Sequence, residues 1–149
     1  MKKIIVTLFI CLGIALSSSP VQAANSNIEV IYLDNGDSIE ITITEGPTTR
    51  ASGTKTGSKT ANYRSGGKIM WSVKVKGTFT YTGSSAKCIA SSVSTTCPGS
   101  AWKIDSKSSS EKGNKAIATA TAKQYQNGFC RYTKTVSVSL ECSPSGKLS

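Results

Sequence analysis

Five cysteines, scattered carboxylates and a recurrent Ser-x-x-Lys spacing are the residues of this chain whose chemistry needs explaining. Of the 149 residues none is histidine. That removes Ser-His-Asp and Cys-His nucleophile pairs, histidine zinc sites and the usual general base near neutral pH. A carboxylate pair could still serve a glycosidase. The nearest set, Asp34, Asp37 and Glu40, falls on a hairpin turn and its solvent face, where acids are ordinarily just solvated. Ser-x-x-Lys recurs at Ser52/Lys55, Ser65/Lys68, Ser84/Lys87, Ser100/Lys103 and Ser109/Lys112, and Lys55-Thr56-Gly57 imitates a second penicillin-recognising motif. A chain this rich in Ser and Lys produces such hits by composition alone, and Ser-Asp-Asn is missing. The expectation is a non-enzyme without cofactor or metal.

The cysteines are read through their compartment. Lys2 and Lys3, the apolar run Ile4 to Leu16 and the small-residue stretch ending Val21-Gln22-Ala23 have the order of a secretory signal peptide, with cleavage expected after Ala23. The run is about 13 residues, short of the roughly 20 that span a bilayer. Cys11 lies within that run behind Ile10, not at a lipoprotein cleavage point. The mature chain is expected to be secreted, without a transmembrane segment, and to keep Cys88, Cys97, Cys130 and Cys142. An even number in an exported chain reads as two disulfides. If 131–141 is one strand, Cys130 and Cys142 stand on the order of 40 Å apart, against the ~7 Å a disulfide tolerates. Two pairings survive. An antiparallel arrangement of 88–97 against 130–142 favours Cys88 with Cys142 and Cys97 with Cys130; the crossed pairing is the alternative. No Cys-x-x-Cys supports a zinc site.

Charge is unevenly divided. Glu29, Asp34, Asp37, Glu40 and Glu45 stand in 24–45 without Lys or Arg, whereas 46–149 holds sixteen basic residues against Asp105, Glu111 and Glu141. Such a field favours anionic partners, an envelope polymer or glycan above all; nucleic acid is supported by charge alone, with no motif for it. Trp71, Trp102, Tyr125, Phe129 and Tyr132, interleaved with Lys103, Lys123, Arg131 and Lys134, could form a stacking platform with a cationic rim. Trp71 and Tyr132 are core residues by strand parity. Trp102, Lys103, Tyr125 and Phe129, near turns, remain as candidate binding residues. Lys74 and Lys76 join them as a basic stripe, or else guard an edge strand.

The elements that must position these groups are strands. Ile28 to Leu33 and the alternating Ile39, Ile41 and Ile43 flank Asn35-Gly36, the signal of a tight hairpin over 24–45. Residues 46–67, almost without apolar side chains except Tyr63, read as a loop or linker. Trp71, Val73, Val75, Phe79 and Tyr81 alternate with polar residues along the clearest strand. Short strands follow at 90–96 and 101–104, then 116–122, and Gln126-Asn127-Gly128 marks a further hairpin turn. Tyr132, Val136, Val138, Leu140 and Cys142 share one face of a last strand. The 68–149 body is therefore expected to be a single disulfide-braced β-sandwich, immunoglobulin-like as one form, with a closed barrel as the alternative.

The stretches Arg50-Ala51-Ser52-Gly53-Thr54-Lys55, Trp71-Ser72-Val73-Lys74-Val75-Lys76-Gly77-Thr78-Phe79 and Leu140-Glu141-Cys142-Ser143-Pro144-Ser145-Gly146-Lys147-Leu148-Ser149 resemble a group of small exported proteins of Gram-positive, clostridia-like bacteria. The resemblance spans roughly residues 50–149, including Ser85-Ala86-Lys87-Cys88 and Ala101-Trp102-Lys103. It implies export, a single β domain and Cys88–Cys142 as the principal disulfide, and no assigned activity comes with it. Two roles follow as expectations: a surface-associated module whose basic face binds an anionic envelope polymer or glycan, or a diffusible cationic effector such as an antimicrobial or inhibitor protein.

Overall fold

The computed structural model describes residues 28–46 and 52–149; the expected signal peptide and its cleavage point lie outside them. Eight strands and no helix make up the described residues: β1 (Ile28–Tyr32), β2 (Ser38–Glu45), β3 (Gly53–Ser65), β4 (Lys68–Tyr81), β5 (Ala86–Thr96), β6 (Trp102–Lys112), β7 (Lys115–Gln126) and β8 (Phe129–Glu141). They form two antiparallel sheets, β1-β2-β3-β4-β5 and β6-β7-β8. β8 lies over β3 and β4, and β7 over β4 and β5, so the sheets face one another as in a sandwich. The sheets do not join into a closed barrel. Every hydrogen-bonded neighbour is consecutive in sequence, a meander without the Greek-key connections of an immunoglobulin domain.

The core sits where alternation placed it on β4. Trp71, Val73, Val75 and Phe79 are fully buried, and Lys74 and Lys76 point to water. Opposite them, Ala116, Ala118, Ala120 and Ala122 of β7 and Val136, Val138 and Leu140 of β8 close the interior. Small alanines line the strand that faces the bulky side chains of β4, so large meets small across the interface.

Residues 53–65, expected within a loop or linker, are instead the strand β3, hydrogen-bonded to β2 on one side and β4 on the other. The hairpin of 24–45 is accordingly no separate unit: it extends the main sheet. Two partners satisfy the backbone of β3 on both edges, which outweighs its poor intrinsic β propensity. Apart from Tyr63, its inner face is small or polar for a reason. Lys55 is buried but forms an ion pair with Glu45 at 2.7 Å, and Gly57 leaves space for Leu148. The chain end returns there: Cys142 bridges Leu148, and Leu148 donates its N–H to Glu45 Oε1 at 3.2 Å. A β-carbon at position 57 would overlap Leu148 Cδ1 and stand 3.2 Å from the Thr44 carbonyl oxygen. Gly57→Ala is expected to lower the unfolding free energy by about 1–3 kcal/mol through this overpacking, read as a fall in urea midpoint at unchanged m-value.

Candidate functional site

A cleft of about 230 Å3 opens at the end of the sandwich where the first hairpin turn meets both sheets. Asn35 and Asp37 come from the β1–β2 turn, Tyr63 and Ser65 from β3, Trp102 from β6, Gln124 from β7, and Arg131 and Tyr132 from β8. Register assembles them. Ile39, just past the turn, pairs with Tyr63, Trp102 with Gln124, and Gln124 with Tyr132, so the β1–β2 turn and the ends of four strands come to one place.

The turn is built by its own sequence. Leu33 and Asp37 close it, with the Leu33 N–H donating to the Asp37 carbonyl at 2.9 Å, and Gly36 adopts φ +83°, which its neighbours would resist. Asn35 Nδ2 donates to Asp37 Oδ2 at 2.8 Å, and the Asp37 N–H donates to Asn35 Oδ1 at 3.2 Å. The buried Tyr63 hydroxyl donates to the same Asp37 Oδ2. Burial pushes the Asp37 carboxyl up, but hydrogen bonds from Tyr63, Ser65 and Asn35 and the charge of Lys134 outweigh it and hold it below the ordinary carboxylate range. Burial, followed by the bond to Asp37 and its charge, drives the Tyr63 phenol well above its ordinary value. Asp37 is thus a carboxylate whose oxygens are already engaged by neutral donors, an arrangement that fixes a polar floor.

Aromatic rings form the walls. Trp102 meets Tyr63 edge-on at 5.2 Å between centroids and Tyr132 edge-on at 6.0 Å. Trp102 is only 6% exposed, so its expected place at the surface is corrected: most of its ring is core, because it falls on the inner face of β6. Tyr132 is corrected in the opposite sense. It shares the inward parity of Val136 and Leu140 yet is 37% exposed, since β8 here runs past the cover of the opposite sheet into the cleft. Arg131 is exposed beside it, and among the described residues no acidic side chain pairs with it.

The other candidates divide. Lys103 sits with its ammonium 5.4 Å from the Tyr125 ring centroid, a cation–π contact at the start of β6, and Phe129 stands 68% exposed at the start of β8. These lie at the same end of the three-stranded sheet as Trp102. Lys74 and Lys76 do not: they occupy the outer face of β4, where Lys74 lines a separate shallow depression with Thr60, Ser72 and Ser94 to Thr96. β4 is an interior strand, so neither lysine guards an edge. Asn35 and Gln124 were invisible as site residues in the sequence; the Asn-Gly turn announced a hairpin but not what its tip would meet. Of the two acids weighed as partners of Asp34, Glu40 turns to Arg64 at 3.1 Å and Asp37 is taken up by Asn35 and Tyr63.

Among the described residues, Cys88, Cys97, Cys130 and Cys142 all carry free thiols. Cys88 and Cys142 are both buried, and they flank one turn: the Cys88 N–H donates to the Gly113 carbonyl at 2.8 Å and the Cys142 N–H to the adjacent Asn114 carbonyl at 3.0 Å. Burial pushes both thiols up, and for Cys142 the neighbouring Cys88 adds to the rise. Cys97 follows β5 and Cys130 opens β8, at the opposite end. Among the described residues no group of three or more potential ligands could hold a metal ion. No described helix is long and apolar enough to cross a membrane. Neither a protein-family model, a curated protein nor a solved structure matches this chain.

Proposed function

We propose that the protein is an exported, non-catalytic module that binds an anionic glycan or cell-envelope polymer through the cleft between its two sheets. One observation carries the reading: Tyr132 presents an aromatic wall, backed by the edge of the largely buried Trp102, over a polar floor of Asn35, Asp37 and Tyr63 whose hydrogen bonds are already set. Pyranose rings are recognised in that way, with apolar C–H faces against aromatic rings and hydroxyls against oriented amides and carboxylates. Gln124 adds a further donor and acceptor. Arg131 supplies a planar, bidentate cation suited to a carboxylate or phosphate on the ligand. Beyond Ala23, sixteen basic residues against eight acidic ones would draw such a polymer toward the domain.

The same reading takes the mature domain to be braced by Cys88–Cys142 and Cys97–Cys130. The flanking of one turn by Cys88 and Cys142 supports the first bridge, and the second would tie the sheets at the cleft end. The signal-peptide pattern supports secretion, where such bridges persist.

Isothermal titration against a panel of neutral and acidic oligosaccharides tests the function. Tyr132→Ala is expected to weaken binding roughly 10-fold or more, as loss of a stacking wall typically costs 1–3 kcal/mol, while the exposed position of the ring leaves the fold intact. Unchanged affinity in that variant would remove the cleft from consideration. A wild-type protein that binds no glycan yet inhibits growth of a neighbouring strain would replace this reading with that of a diffusible effector.

A further inference from the structure

β1 is a five-residue edge strand with β2 on one side and no other strand beside it among the described residues. It carries a concentration of apolar side chains at the surface: Ile28 is 63% exposed, Val30 43%, Ile31 43% and Tyr32 82%. An apolar edge in water is a template for another strand, and soluble proteins ordinarily blunt it with Lys, Pro or a bulge. β1 has none of these.

The hairpin determines which backbone groups of β1 are free. Because the Leu33 N–H donates to the Asp37 carbonyl, that closing pair is hydrogen-bonded. Bonded and non-bonded pairs alternate along an antiparallel ladder, so Ile31 and Glu29 also direct their N–H and C=O groups at β2. Ile28, Val30 and Tyr32 therefore direct theirs away from β2, along the open edge.

We propose that this edge pairs with β1 of a second copy, antiparallel about a two-fold axis through Val30. The register follows from the residues. Side chains on one face must meet side chains on the same face, which restricts partners to positions of equal parity. Centred on Val30, Ile28 faces Tyr32 of the second copy and Val30 faces its own mate. All the outward N–H and C=O groups are then paired, six hydrogen bonds in total, and Ile28, Val30 and Tyr32 of both copies make one apolar cluster. Glu29 faces Ile31 of the second copy rather than another carboxylate. Centred on Glu29, two like charges would be opposed; centred on Ile31, the paired stretch would shorten. Neither β6, β7 nor β8 covers β1 or β2, so among the described residues no strand of the other sheet stands over the joint and the two main sheets can run on as one.

The contact is small, which places it among concentration-dependent associations rather than obligate ones. The two-fold is closed and self-complementary, so pairing stops at two. Two clefts on one particle would raise retention on a repeating ligand without any new contact to it.

Sedimentation velocity on the purified protein, from micromolar to millimolar concentration, tests the pairing independently of any glycan. A monomer passing to dimer with rising concentration is expected. Val30→Lys, which would set two ammonium groups side by side at the axis, is expected to remain monomeric throughout, with an unchanged circular dichroism spectrum and urea midpoint because the side chain stands in solvent. Val30→Ile is expected to dimerise like the parent. A parent that stays monomeric at every concentration overturns the proposal and leaves the edge to a strand of some other protein. Dimerisation undiminished in Val30→Lys overturns it equally, by locating the interface elsewhere.

Discussion

Replacing Trp71 by alanine is expected to lower the unfolding free energy by about 3–5 kcal/mol, the range for emptying a large aromatic site in a close-packed interior. Trp71 is wholly buried on β4, its ring 5.8 Å from that of Tyr63, and Tyr63 in turn abuts Trp102. The void would open at the inner end of this aromatic row, among the fully buried side chains of β4. Trp71→Phe separates packing from polarity. The indole Nε1 is buried without a hydrogen-bond partner, a defect that ordinarily costs about 1–3 kcal/mol. Phenylalanine removes that donor while keeping most of the ring, so its cost is expected to be well under half that of alanine. Urea unfolding followed by circular dichroism reads both. A loss for Trp71→Phe equal to that for Trp71→Ala would overturn this account, by showing that a phenyl ring recovers none of the packing at this position.

Formation of the proposed Cys88–Cys142 bridge is expected to stabilise the oxidised protein by about 4 kcal/mol over the same protein with that bridge absent, from the entropy removed by closing a loop of roughly 55 residues in the unfolded chain. The bridge would tie β5 to the end of β8 on either side of the β6–β7 turn, where the C-terminal residues also fold back on β2 and β3. The burial that raises both thiols slows reduction of such a bridge, since an external thiolate must reach a shielded sulfur and expel the other as a thiolate that burial disfavours. Peptide mapping under non-reducing conditions should recover Cys88 joined to Cys142, and Cys88→Ala/Cys142→Ala should unfold at a much lower denaturant concentration. Free thiols at both positions in protein secreted by its producing cells would sink the bridge. A linked peptide joining Cys88 to Cys130 would establish the crossed pairing instead.

Much of the architecture was legible in the sequence because two-residue alternation is a local property. It was sufficient for β4, where bulky apolar and charged residues take turns, and for the inward face of β8 from Val136 to Leu140. The turns at Asn35-Gly36 and Asn127-Gly128 were equally legible, since both carry the positive φ that such residues tolerate. β3 was not legible. Its Gly, Ser, Thr and Lys residues have little preference for a strand, and the order comes from ladders on both sides and an ion pair between Lys55 and Glu45. A short-range pattern holds no record of partners contributed by other strands.

The sequence by itself determined an all-β chain, its principal core strand, its hairpin tips and a strongly basic body facing an acidic first hairpin. Tertiary structure alone decided the meander order, the absorption of that hairpin into the main sheet, the exchange of places between Trp102 and Tyr132, and the convergence of Asn35, Asp37, Gln124 and Arg131 on one cleft. The reason is the same in each case. Side-chain parity is set by the backbone of one strand, whereas the company a side chain keeps is set by register between strands and by where one sheet stops covering the other.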